Sequence, residues 1–176
     1  MNTFALELWD DEANKCTFYT VRWDEAEENE TNKFFNKYYS IAEMKQSTQE
    51  LMSFVLESIG EDHGAIEALF NRFENEVIGL PNKGKVTLGE IVFIYPNFPL
   101  RLYALRVNNR SDLVVLFNGG IKSAQTNQDS KDLNIKWMEA CQFARRIEEA
   151  FRDKEIIIDP KKKKILSANG DDEILL

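Results

Sequence analysis

Between Ile91 and Ser123 the chain reads IVFIYPNFPLRLYALRVNNRSDLVVLFNGGIKS, and no other stretch constrains the fold as strongly. Three apolar runs, Ile91–Tyr95, Leu100–Val107 and Leu113–Phe117, are cut by Pro-Asn-Phe-Pro and by Asn-Asn-Arg-Ser-Asp. Short runs rich in Val, Ile, Leu, Phe and Tyr, bounded by turn formers, are expected to be consecutive antiparallel strands. Arg101 and Arg106 lie inside this meander, and Lys122 follows Gly119-Gly120. An arginine in a strand is costly to bury unpaired, so each basic residue is expected on an exposed face or against an anion.

The flanks supply the layers. Phe4–Trp9 and Cys16–Trp23 enclose Asp10-Asp11-Glu12-Ala13-Asn14, the pattern of a hairpin, with Trp9, Tyr19 and Trp23 giving one face its apolar area. The acids of Asp24–Glu30 suit the start of a helix over 25–39, as a solvated cap rather than a metal site. Ser47-Thr-Gln-Glu50 has the form of a capping box before Leu51, Val55 and Ile59, which predicts a helix over 48–59 ending at Gly60. Ile66, Leu69, Phe70, Phe73 and Val77 repeat at three- and four-residue steps and predict a second helix, so that the two form a hairpin closed before Pro81. His63, in the acidic turn between them, is read as a surface or capping residue. Pro81–Glu90 is expected to be a loop or edge strand. Trp137, Cys141, Ala144, Ile147 and Phe151 predict a long amphipathic helix over 131–152, with Arg145 and Arg146 reaching solvent or pairing with acids. Glu155–Asp159 and Lys164–Leu166 bracket Pro160-Lys161-Lys162-Lys163 as a closing hairpin whose lysines either guard a sheet edge or meet nucleic acid.

Charge divides the chain. Residues 1–80 carry 17 acids and 6 bases, a net −11, whereas residues 81–170 carry 10 acids and 16 bases, a net +6. Basic surface favours a polyanion and acidic surface repels one. The division suggests an acidic N-terminal part, 1–80, and a basic part, 81–176, with one domain over 1–170 as the alternative. Cys16 and Cys141 lack metal or redox spacing and read as core thiols. No apolar run is long enough to span a membrane, and the N-terminus has no signal-peptide pattern, so a cytoplasmic protein without a membrane partner is expected. The sequence carries no P-loop, GxGxxG, GxSxG, HExxH or DxDxDG pattern, and neither cofactor nor metal is expected.

The order of a helix pair, a Gly79-Leu80-Pro81 loop, three strands and an Ala/Arg helix resembles the RelE/ParE toxin superfamily, its HigB-like members above all. The residues that carry the resemblance are Leu102-Tyr103-Ala104-Leu105-Arg106, Phe117-Asn-Gly-Gly-Ile-Lys122-Ser123 and Ala144-Arg145-Arg146, within residues 79–151. Ser123 stands where the family has a second lysine, Ala104 where it has an acid, and no histidine or tyrosine follows the long helix to act as acid or base. The resemblance implies a metal-independent endoribonuclease acting on ribosome-bound mRNA, with a small helix-turn-helix antitoxin as partner. In that reading Arg106 and Lys122 are the catalytic residues, stabilising charge on phosphate oxygens. Arg101, Arg110, Lys161, Lys162 and Lys163 would contact RNA. The alternative is a non-catalytic module of the same fold that binds a protein. Either way the expected architecture is α+β, an antiparallel sheet of about five strands packed by a helical hairpin and one long C-terminal helix.

Overall fold

A computed structural model of the chain describes residues 3–122 and 127–176. The chain opens with β1 (Phe4–Asp10) and β2 (Thr17–Trp23), then α1 (Glu30–Tyr39) and α2 (Lys45–Ser53), which runs on as a π-helix over Phe54–His63. Strands β3 (Phe73–Glu74), β4 (Val77–Leu80), β5 (Val86–Leu88), β6 (Ile91–Phe93), β7 (Leu100–Arg106) and β8 (Leu113–Ile121) precede the long helix α3 (Asn127–Arg152). Strands β9 (Ile156–Asp159), β10 (Lys164–Ser167) and β11 (Ile174–Leu175) close the chain.

The main sheet has seven strands in the order β11-β1-β2-β8-β7-β4-β3, all antiparallel except for the parallel pair β2 and β8. Leu113, Val115 and Phe117 face one core with Ala140, Phe143, Ala144 and Ile147 of α3. Val114 and Leu116 face a second core with Phe34, Phe35, Leu51, Phe54 and Ile59 of the α1, α2 and π-helical layer. The unbroken apolar run of β8 is therefore the mark of a strand covered on both faces. Helix α1 is pinned to it by Thr31, whose hydroxyl donates to the carbonyls of Leu116 and Phe117 and lies 2.6 Å from Thr20 Oγ1.

The α+β class, the β1–β2 hairpin, the long C-terminal helix and the β9–β10 hairpin stand as the sequence suggests. The sheet is wider than the expected five strands and mixed, because residues 1–80 contribute four of its seven strands and bring β2 in beside β8. The expected helical hairpin is a single helix with a π-helical end. Gly64 breaks it at a φ of +77°, and Ala65 then bonds its N–H to the Ser111 carbonyl, tying the chain to the end of the sheet. Ile66, Leu69 and Phe70 still pack inward, but as turns, while Phe73 and Val77 enter β3 and β4. A three- and four-residue apolar spacing specifies which residues go inside and not the backbone that carries them. Ser47 lies inside α2 rather than at its cap. Helix α1 is capped by Asn29, which accepts from the Asn32 N–H, and Glu30 of the acid run is buried against Lys33 rather than solvated. The run Ile91–Tyr95 does not join β7: its first three residues pair with β5 in a separate ribbon. His63 is half-buried, edge-on to Phe93 with ring centroids 5.6 Å apart. Both cysteines are free and buried, and Arg145 and Arg146 pair with Glu76 and Glu155.

Candidate functional site

The basic residues singled out in the sequence fall at opposite ends of the β7–β8 pair. Arg106 is opposite Val114 and Arg101 opposite Gly120, with Lys122 one step past the end of β8. Strand rise puts about 20 Å between the two ends.

At the Arg106 end, Arg106, Arg110, Lys163 and Lys164 are already engaged. Arg106 donates from Nε to the Ala65 carbonyl at 2.7 Å and from Nη2 to the Asn109 carbonyl at 3.1 Å, so it fastens the loop after the π-helix. Arg110 makes a two-pronged contact with Asp112, at 2.7 and 2.8 Å. Lys163 donates to the Asn14 carbonyl and Lys164 to Asp11, which ties the β9–β10 turn to the β1–β2 turn. Lys161 and Lys162 are exposed, their backbone N–H groups held by Asp159.

At the other end Arg101 and Lys122 join Arg72, Tyr95, Asn97 and Phe98 around a cavity of about 350 Å³. Each wall has a local cause. The Arg72 guanidinium donates to the carbonyls of Pro81 and Asn82, and Asn71 holds the same loop by two bonds to the Lys83 backbone. Phe98 is buried and meets Tyr95, which in turn meets Phe54, so the Tyr95–Phe98 loop is anchored in the core. The N–H of Lys122 donates to the Pro99 carbonyl and fixes the exposed rim. Gly79 opens the room: a Cβ there would stand 2.6 Å from Glu74 Oε2, 2.7 Å from Arg101 Cδ and 2.9 Å from Arg72 Cδ.

Arg101 is the unusual member. It is 5% exposed, and among the described residues its Nη1 has no hydrogen-bond partner. Burial, then the nearby Arg72, push its guanidinium down to about 10, against the attraction of Glu74. Arg72 is lowered in the same direction by burial. Burial also raises the Tyr95 phenol above its ordinary value, so it remains a proton donor at neutral pH.

Of the seven basic residues named from the sequence, the fold brings together Arg101 and Lys122 and leaves the others at the far end. Arg72, Tyr95 and Asn97 escaped the sequence reading. Arg72 sat within the second predicted helix, the one expected to stop before Pro81, and the Pro-Asn-Phe-Pro break gave a turn without a direction. Among the described residues no three His, Cys, Asp or Glu side chains are grouped to hold a metal ion, and no helix is long and apolar enough to cross a membrane. No family model matches the chain, and neither a curated protein nor a solved structure was found to match it.

Proposed function

We propose that this chain is a toxin-system protein of RelE/HigB-like kind that acts on ribosome-bound mRNA, with the Arg72–Arg101–Lys122 cavity as its phosphate site. The observation that carries the reading is the convergence of these three cations, from three separate segments, on one cavity, with Lys122 the lysine of the resembling motif. A ribose 2′-hydroxyl attacking the neighbouring phosphorus would form a cyclic phosphate and release a 5′-hydroxyl, with negative charge growing on the phosphate oxygens. Guanidinium donors held in a partly dry site stabilise that charge more than water does. Tyr95, kept protonated by its burial, is the cavity's candidate donor to the leaving oxygen. Arg106 serves the fold in this reading, through the Ala65 and Asn109 carbonyls. A small helix-turn-helix protein encoded beside it would be the antitoxin.

Induced expression followed by growth and primer-extension measurements tests this. Wild type is expected to arrest growth and yield cut transcripts, and Lys122→Ala with Arg72→Ala to abolish both while remaining folded. No arrest from folded wild type would remove the reading. A second reading, a non-catalytic module that binds a protein, is favoured by Phe73, which is 72% exposed on edge strand β3, and by exposed Ile91, Val92 and Ile94. Arrest by the double variant as strong as by wild type would favour it.

A further inference from the structure

The cavity's charge exceeds what the interior of a nucleic-acid strand supplies. A bridging phosphodiester carries a single negative charge. Here Arg72, Arg101 and Lys122 provide three positive charges and Glu74, drawn to the same point over Gly79, removes one. The surplus of two matches a dianion. Depth points the same way: Arg101 is almost wholly buried, so a projecting terminal phosphate reaches it more directly than one inside a strand. The Nη1 of that buried arginine is without a hydrogen-bond partner among the described residues, as is Glu74 Oε2 near it, so the guanidinium keeps a donor for a ligand oxygen. The surrounding donors also suit a tetrahedral oxyanion, with two guanidinium groups, one ammonium, a protonated phenol and the Asn97 amide. Its volume lies at the small end of the range for ligand pockets, about 300–1,000 Å³.

We infer that the cavity lined by Arg72, Tyr95, Asn97, Arg101 and Lys122 binds a phosphate monoester dianion, either a mononucleotide or the phosphorylated end of a strand. The inference goes beyond the RNA reading and needs only the cavity: a protein that cuts no transcript still binds the monoester. Within the RNA reading it describes a site matched to the doubly charged phosphorus of the transition state rather than to the resting diester.

Calorimetric titration of the full chain with methyl phosphate, inorganic phosphate and dimethyl phosphate tests it. Methyl phosphate and inorganic phosphate are expected to saturate one site, with dimethyl phosphate at least about ten-fold weaker. Arg101→Met and Lys122→Ala should each weaken methyl phosphate by about ten-fold or more, while Lys15→Ala, an equal charge change on the β1–β2 turn, leaves it unchanged. Lys122 is exposed, so its variant keeps the test valid if Arg101→Met does not fold. Competition with methyl phosphate by a short 5′-phosphorylated RNA but not its 5′-hydroxyl twin assigns the strand end, and competition by 5′-AMP alone assigns the mononucleotide. No saturable binding of either monoanionic or dianionic phosphate, or equal binding of methyl and dimethyl phosphate, overturns the inference. Equal competition by the two RNAs also overturns it while leaving the RNA reading standing.

Discussion

A guanidinium that is 5% exposed, with Nη1 unpartnered among the described residues, weakens the fold that holds it, because burial removes water that nothing replaces. The same physics makes Arg101 effective toward an anion, since a donor already stripped of water loses little more on binding. Arg101→Met keeps the stem's packing and removes the charge. It is expected to raise unfolding stability by about 1–3 kcal/mol in denaturant titration while losing methyl phosphate binding. The lowered value of Arg101 lies near 10, so its charged form opposes folding at all pH below that, and the expected gain is present throughout the neutral range. A variant less stable than wild type would mean that the guanidinium has a partner in the native protein.

At the scale of elements, β7 and β8, which carry Arg101 and lead into Lys122, approach closely and shift register between Leu102 and Ala104. A Cβ on Gly119 would stand 1.8 Å from the Arg101 carbonyl oxygen, an overlap with backbone that no side-chain rotation relieves. Gly119→Ala is therefore expected to cost about 3 kcal/mol or more, read as a lowered denaturation midpoint, whereas the same change at Gly84, where nothing lies within 4 Å, meets only its φ of +69°. An unaffected midpoint in Gly119→Ala would show that the strands can part without loss. Glycine at this point of β8 was visible in the sequence as a Gly-Gly pair, and its reason was not. Two glycines in an apolar strand read as a bulge or a close backbone approach; which backbone approaches depends on the β7 partner.

Over the whole molecule, residues before and after position 80 are joined in one sheet. Strands β1 and β2 lie in the same sheet as β7 and β8, and both cores draw residues from before and after position 80. Single-stranded RNA binding through this one phosphate site of Arg72, Arg101 and Lys122 is expected to fall with salt at a log–log slope of about −1, and a much steeper slope would mean that the far-end lysines also engage. The sequence by itself determined the α+β class, the core residues of α3 and the terminal hairpins, since these follow from local periodicity and turn chemistry. It also marked Arg101 and Lys122 as basic residues in an apolar meander. Only the tertiary structure decided that residues 66–77 are not a helix, that Arg106 is spent on backbone carbonyls, and that Arg72 and Tyr95 complete the cavity. Those outcomes depend on which strands become neighbours, and neighbours distant in sequence are selected by the packing of the whole chain rather than by any residue's own spacing.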